Sequence, residues 1–184
     1  AHADPASDLP ATTLALGATY VAQGPKGTRE IKASDFYQGF LQSALAPDEM
    51  LTEIRVPKMN GAGWSFQKFN RRAQDWAIVG VAAWRGANGS GVALVNMGST
   101  PVLAASVSSA LAGGASVSDA AQLAAAEAEP QAECRRKAGP DVITIPDAVR
   151  ARLRSAIPVA PITASGSGFA LPSVWCAMLA NPCR

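Results

Sequence analysis

The stretch WAIVGVAAWRGANGSGVALVNM, residues 76–97, decides how the second half of this chain folds. Two apolar runs, residues 76–84 and residues 92–97, flank the sequence Asn-Gly-Ser-Gly at residues 88–91. Apolar runs of strand length on either side of a glycine-rich turn are typical of an antiparallel strand pair. The sequence therefore predicts two paired strands here.

Helices are predicted downstream of this pair. Thr100 and Pro101 favour the start of an alanine-rich helix, because proline is tolerated at the first helical position, and residues 113–114, both glycine, mark its end. Ser118 and Asp119 are typical capping residues for a second helix that runs to Ala128. Strands followed by helices predict an α+β lobe.

The lobe is predicted to begin after a loop. Residues 60–63, Asn-Gly-Ala-Gly, mark a boundary, and a strand is expected at residues 64–69. Before the boundary, residues 51–57 alternate apolar and polar side chains, as a half-buried strand does, and Pro57 ends the pattern. A helical turn is expected at residues 35–39.

The first residues predict a helix and a hairpin. Residues 7–10, Ser-Asp-Leu-Pro, can cap a short helix that stops near Gly17. Residues 18–22 and 28–31 have strand character, and Gly-Pro-Lys-Gly at residues 24–27 joins them as a turn. We therefore divide the chain into residues 1–57, residues 58–130 and a proline-rich tail, residues 131–184, which we expect to be poorly ordered.

Composition excludes several classes of protein. The chain has 184 residues, 48% of them hydrophobic, and 16 basic against 14 acidic side chains. No basic stripe predicts nucleic-acid binding, and no apolar run approaches the ~20 residues of a membrane span, so a cytoplasmic location is expected. The three cysteines lack the spacing of a metal site. The single histidine is His2, so a Ser-His-Asp catalytic triad would have to be built at the first residues of the sequence, and we do not expect one.

Four segments in order carry a resemblance to a known family. They are residues 1–10 (AHADPASDLP), 45–57 (LAPDEMLTEIRVP), 68–79 (KFNRRAQDWAIV) and 98–102 (GSTPV). Together they resemble the FAD-binding subunits of molybdenum hydroxylases, the group of carbon monoxide dehydrogenase medium chains and xanthine dehydrogenases. The resemblance implies the C-terminal part of a PCMH-type FAD-binding domain, followed by a domain like the carbon monoxide dehydrogenase flavoprotein C-terminal domain, with an antiparallel sheet plus helices.

The resemblance also implies cofactor-binding residues. Asp8 is expected at the ribose or adenine side of FAD, Leu51 at the adenine, and Lys68 near the phosphate or flavin region. His2 and Ala3 are expected near the cofactor, because in the family this position adjoins a glycine-rich phosphate loop.

Each of these residues has a purely structural alternative. Asp8 is also a candidate helix cap, and Leu51 a buried strand side chain. Lys68, between two phenylalanines, is also typical of a solvated or snorkelling cation.

Further residues of the matching segments have two readings as well. By resemblance Arg71, Arg72 and Asp75 border the flavin, yet the arginines also suit salt bridges or a subunit interface. Three of the four tryptophans, Trp64, Trp76 and Trp84, are interpreted as aromatic side chains of the core or of a subunit interface rather than as residues that stack on the flavin.

The resemblance implies a place in a larger complex. A molybdenum subunit oxidises a small substrate, an iron–sulfur subunit relays electrons through [2Fe-2S] clusters, and FAD in this chain passes them to an acceptor. The family carries two glycine-rich loops upstream of the first matching segment, and it ends on a helix that this chain's tail does not match. We therefore expect a truncated and divergent subunit that binds FAD weakly or not at all alone. The alternative is a docking remnant or an inactive fragment.

Overall fold

A four-stranded antiparallel sheet forms the centre of the second half of the chain. The structure is a computed structural model, and it describes residues 1–70 and 72–128. The strands lie in the order of the sequence: β6 (Gly63–Phe69), β7 (Val79–Gly86), β8 (Gly89–Val95) and β9 (Val102–Leu103). The β7–β8 hairpin closes at Gly86 and Gly89, and Gly89 has φ +143°, a value that favours glycine. This confirms the predicted strand pair.

The two faces of this sheet bury different neighbours, because side chains alternate along a strand. Val81 and Leu94 point to the face covered by helices α3 (Ala105–Ala112) and α4 (Val117–Glu127). Their neighbours Ala82 and Ala93 belong to a second cluster on the opposite face, where the first part of the chain packs.

The first part of the chain builds two small antiparallel sheets and two helices. Its elements are α1 (Asp8–Ala15), β1 (Thr19–Gly24), β2 (Gly27–Lys32), α2 (Ala33–Phe36), β3 (Tyr37–Gly39), β4 (Gln42–Ser43) and β5 (Met50–Arg55). The larger sheet has the order β2-β1-β5, and β3 pairs with β4. The predicted short helix and hairpin are both present, and Gly17 follows the helix with φ +63°. The architecture as a whole is α+β, as predicted.

One hydrogen bond fastens α1 to the central sheet. The indole Nε1 of Trp84 on β7 donates to the carbonyl oxygen of Ala15, the last residue of α1, over 2.6 Å. The indole lies across Gly91 of β8, where an added Cβ would sit 2.1 Å from the Ala15 oxygen and 2.3 Å from Nε1. Only glycine leaves room for this crossing.

The predicted start of α3 is wrong. The helix begins at Ala105, and Pro101 instead precedes β9, which pairs along β8. The start is set by a distant carboxylate: Glu127, at the end of α4, accepts hydrogen bonds from the backbone amides of Ala105 and Ser106 over 2.9 and 2.8 Å. A carboxylate at this position satisfies amides that lack a partner within the helix.

Three smaller expectations need correction. The cap of α4 is Ser116, whose hydroxyl accepts from the amide of Asp119, rather than residues 118–119. The helical turn expected at residues 35–39 covers Ala33–Phe36, and the chain extends from Tyr37. The strand expected at residues 51–57 ends at Arg55.

The burial of this strand was also mispredicted. Leu51 is the only partly buried residue of β5, because β5 is an edge strand and no described element covers its outer face. Two of the tryptophans are also more exposed than predicted. Trp64 and Trp76 are 43% and 58% exposed, so the prediction that they lie in the core is wrong. That they lie in a subunit interface stays a prediction. The predicted domain boundary after residue 57 also stays a prediction, and the tail at residues 131–184 lies outside the described residues.

An ion pair holds the loop before β5. Arg29 on β2 donates from Nε and Nη2 to the two carboxylate oxygens of Glu49, each over 2.7 Å. The Ala46 amide donates to the same carboxylate, and Arg29 also reaches the carbonyl of Ala44. The Arg29 guanidinium and the Ala46 amide lower the pKa of Glu49 to about 2.

We expect Gly91→Ala to destabilise the protein by about 2 kcal/mol or more, because the new methyl group collides with the Ala15 carbonyl and the Trp84 indole. Gly113→Ala is the matched control: Gly113 has φ −74°, and its added Cβ would meet nothing closer than 3.4 Å. Urea unfolding of both variants measures the difference. Equal stability of the two would contradict the role of the crossing.

The Glu49 ion pair predicts a defined acid sensitivity. Its folded pKa of about 2 lies below the ordinary value of 4.5, so the stabilisation is present above pH 4.5 and disappears as the pH falls towards 2. Glu49→Gln is expected to flatten the fall of the thermal midpoint across this pH window. Asp48→Asn, which changes the neighbouring exposed carboxyl, is the control and should leave the slope of the thermal midpoint against pH unchanged. If Glu49→Gln also kept the slope of the parent chain, the assignment would be refuted.

Candidate functional site

An ion pair joins the two parts of the chain at the start of α1. Lys68 Nζ on β6 lies 3.2 Å from Asp8 Oδ2, although the residues are 60 positions apart in the sequence. Their side chains are only 27% and 24% exposed, respectively. The structure therefore brings together two of the five residues that the resemblance implied.

The second oxygen of Asp8 has no hydrogen-bond partner among residues 1–70 and 72–128. Asp8 Oδ1 is buried, and nothing in the described part of the chain donates a hydrogen bond to it. The capping alternative is not observed: Asp8 is the first residue of α1, Ser7 occupies the cap position, and no side-chain cap hydrogen bond forms. Because buried carboxylate oxygens are nearly always paired, this atom marks a place for a hydrogen-bond donor.

An apolar cavity of about 370 Å³ lies along the same side of α1; we call it the Trp84 cavity. Thr12, one helical turn after Asp8, and Phe66, two strand residues before Lys68, both line it. Along α1 and along β6, the side chains on this face therefore lead from the cavity to the Asp8–Lys68 pair. Its other walls include Val56, Pro57, Met59, Trp64 and Trp84.

The remaining implied residues surround a second cavity, of about 620 Å³, on the other side of α1. His2, Ala3 and Leu51 line it, and we call it the Tyr37 cavity. Ala3 is buried with φ +53°, an uncommon value for a residue with a side chain. The two cavities lie on different faces of α1, because Pro10 and Thr13 line this one whereas Thr12 and Ala15 line the other.

The backbone around Ala3 is held in place by hydrogen bonds. Asp4 Oδ1 accepts from the amide of Ala6 over 2.9 Å, and the Ser7 amide donates to the Asp4 carbonyl. The Asn96 amide, at the end of β8, donates to the carbonyl of Pro5 over 2.8 Å. The turn that carries His2 and Ala3 is therefore anchored on the central sheet.

Sequence reasoning missed the hydroxyl cluster in the Tyr37 cavity. Thr13 Oγ1 lies 2.6 Å from Tyr20 Oη, and Tyr20 Oη is hydrogen-bonded to Tyr37 Oη. Both tyrosine rings pack on Phe36, with centroids 4.2 and 5.3 Å away. Burial raises the pKa of Tyr37 above its ordinary value, so its phenol stays protonated at neutral pH. The apolar run of residues 20–22 was a signal of burial, but nothing in the sequence pairs Tyr20 with Tyr37.

The arginines expected near the flavin are only partly described. Arg72 is 85% exposed and lies 3.4 Å from Asp75, which fits the salt-bridge alternative. Arg71 lies outside the described residues.

The tryptophans are divided between the two cavities. Trp76 lines the Tyr37 cavity, and Trp84 lines the Trp84 cavity. Among the described helices, none is long and apolar enough to cross a membrane.

Two family models match the chain one after the other. Residues 1–59 match the FAD binding domain in molybdopterin dehydrogenase, and residues 64–139 match the CO dehydrogenase flavoprotein C-terminal domain. The ion pair between Asp8 and Lys68 therefore joins residues matched by the two different models.

Individual proteins give the same picture. The carbon monoxide dehydrogenase medium chain of Hydrogenophaga pseudoflava is 36% identical over 131 residues, which are 68% of this chain and 46% of that one. The caffeine dehydrogenase subunit beta of a Pseudomonas species is 39% identical over 108 residues, 55% of this chain and 37% of that one. The chain spans about half the length of the curated relatives it matches.

A solved structure shares the fold. It is a carbon monoxide dehydrogenase from Hydrogenophaga pseudoflava that lacks the Mo-pyranopterin moiety of its cofactor. It aligns with a TM-score of 0.73 at 33% identity, over 84% of this chain and 56% of that chain.

Proposed function

Because the chain belongs to the family of FAD-binding medium subunits of molybdenum hydroxylases, we propose that it supplies part of an FAD site. The observation that carries the proposal is the buried oxygen of Asp8, which lacks a donor. A carboxylate that already holds a lysine and has one oxygen free suits a ligand with hydroxyl groups, as ribose is.

The residues present fit such a ligand. Asp8 Oδ1 accepts a hydroxyl hydrogen, Lys68 holds the other carboxylate oxygen and keeps the carboxylate oriented, and its remaining ammonium hydrogens suit phosphate oxygens. Leu51, His2 and Ala3 shape the Tyr37 cavity on the other side of α1. The chain's own residues therefore bind and orient, and none of them is proposed to act as an acid, base or nucleophile.

We propose a role in electron transfer, which the family membership supports. Bound FAD would supply the redox chemistry between iron–sulfur clusters and an acceptor, while this chain would bind and orient it. We propose that the iron–sulfur and molybdenum subunits are separate chains, consistent with relatives that are called a medium chain and a subunit beta. A cytoplasmic location is part of the same proposal.

An alternative is a docking remnant that has lost FAD. It agrees with the coverage of about half of the relatives' length, but it leaves the buried Asp8 oxygen without a purpose. An unpaired buried acceptor lowers stability, so retaining one favours a ligand. We therefore place FAD binding first, and we propose that the binding by this chain alone is weak.

Replacing Asp8 tests the proposal. Titration of the 184-residue chain with FAD, followed by flavin fluorescence, is expected to show weak, saturable binding. Asp8→Asn should weaken it about tenfold, because a charged acceptor is lost, and Lys68→Met should weaken it as well. Circular dichroism verifies that each variant is folded.

The control is Asp48→Asn, which removes an exposed carboxyl that lines neither cavity, and this variant should bind FAD as the parent chain does. Equal affinity of Asp8→Asn and Asp48→Asn would contradict the proposed site. If the parent chain does not bind FAD but still binds an iron–sulfur subunit, the docking alternative replaces the proposal.

A further inference from the structure

The sequence contains two Asn-Gly pairs, at residues 60–61 and 88–89, and both asparagines are exposed. Asparagine is a chemically labile residue, and before a glycine it can react with its own backbone. The amide nitrogen of the glycine attacks the carbonyl carbon of the asparagine side chain, and ammonia leaves. Glycine permits this approach because it has no Cβ and a permissive backbone. The two pairs differ in how firmly the structure holds them.

The Asn88 pair lies in the hairpin of the central sheet. Gly89 is the first residue of β8, and it pairs with Gly86 where the β7–β8 ladder closes. Only Ala87 and Asn88 remain for the turn, so the ladder restrains the backbone dihedral angles on both sides of the reacting bond. Ring closure requires these angles to change, and that change would open the end of the hairpin.

The Asn60 pair is held weakly. It lies at the centre of a turn that is closed by a backbone hydrogen bond from the amide of Ala62 to the carbonyl of Met59, over 3.4 Å. This distance exceeds the usual range for N–H···O hydrogen bonds. Gly61 is exposed with φ +70°, and its amide donates to no acceptor in the described part of the chain. The attacking nitrogen is therefore free, and the backbone around it can rotate.

We propose that Asn60 is a site of spontaneous deamidation in the folded protein, whereas the hairpin protects Asn88. The Gly61 nitrogen loses its proton to solvent and forms a bond to Cγ of Asn60. The bond from Cγ to the side-chain nitrogen breaks, and this nitrogen takes up a proton and leaves as ammonia. Water then opens the cyclic imide at either carbonyl carbon, which yields aspartate or isoaspartate. Water is the only co-reactant, and no electron is transferred.

The reaction changes the segment that joins the two parts of the chain. Residues 60–61 lie in the interval between the two family models, of which one ends at residue 59 and the other begins at residue 64. The new carboxylate forms next to Met59, which lines the Trp84 cavity with Pro57 and Trp64. The isoaspartyl product also lengthens the main chain by one methylene group. Deamidation therefore alters the charge and the length of this connection, and the inference goes beyond the proposed function because it does not depend on FAD.

Incubation of the folded 184-residue chain at mildly alkaline pH, in water enriched in the heavy oxygen isotope, tests the inference. Peptide mapping by mass spectrometry follows each site separately, because the conversion of an amide to a carboxyl group takes up one oxygen atom from the water. We expect Asn60 to react several times faster than Asn88. A higher pH should accelerate the reaction at Asn60, because the attacking nitrogen must be deprotonated.

Unfolding the chain is the internal control. In concentrated guanidinium chloride both sites are Asn-Gly pairs in a flexible chain, so Asn88 should accelerate until the two rates are similar. Asn60→Gln should abolish the reaction at this position, because the longer side chain closes a larger ring slowly, and the matched variant Asn88→Gln should leave the reaction at Asn60 unchanged. If Asn88 reacts as fast as Asn60 in the folded chain, or if Asn60 reacts only after unfolding, the inference is overturned.

Discussion

The crossing of the Trp84 indole over Gly91 is the constraint on which the remainder of the structure depends. It brings an aromatic donor from β7 onto the last carbonyl of α1, and that carbonyl has no partner within the helix. The hydrogen bond from the Asn96 amide to the Pro5 carbonyl holds the chain just before α1, so this rigid helix is fixed on the sheet at both ends. The position of Asp8 beside Lys68 thus depends in part on a contact about seven residues away along α1, a distance of ~10 Å.

The same placement explains why there are two cavities. Helix α1 has a diameter of ~10 Å with its side chains, and it lies between the central sheet on one side and the β1, β2 and α2 elements on the other. One side of the helix therefore meets the aromatic row of β6, and the other meets Tyr20 and Tyr37. Neither cavity belongs to one half of the chain, which agrees with the two family models that meet between residues 59 and 64.

Local patterns predicted the elements well, and the sites less completely. The apolar runs of residues 76–97 predicted β7 and β8 because both strands are buried on two faces and their turn needs glycine. The start of α3 was mispredicted because Glu127, more than twenty residues away, provides its cap. Asp8 and Lys68 were found through the family resemblance alone, since nothing local signals a pair across 60 residues. Tyr37 was not singled out, because nothing local indicates that its hydroxyl meets those of Thr13 and Tyr20.

The hydrogen-bond donors and acceptors around α1 restrict which ligands can contact more than one of its faces. On one face of α1, Asp8 offers a carboxylate oxygen with no donor among the described residues, and the Lys68 ammonium lies beside it as a donor; on another face, the Tyr37 cavity offers hydroxyl groups, which can donate or accept. A single ligand that contacts both faces must therefore present a hydrogen-bond donor to Asp8, and an anionic group is favoured only beside Lys68. The Asp8 oxygen disfavours a ligand without hydroxyl or N–H groups, because it would stay buried and unpaired, and the apolar side chains around the Tyr37 cavity disfavour a wholly polar one. The polar groups and the cavity walls therefore restrict a ligand in different ways, although both are arranged around the same helix.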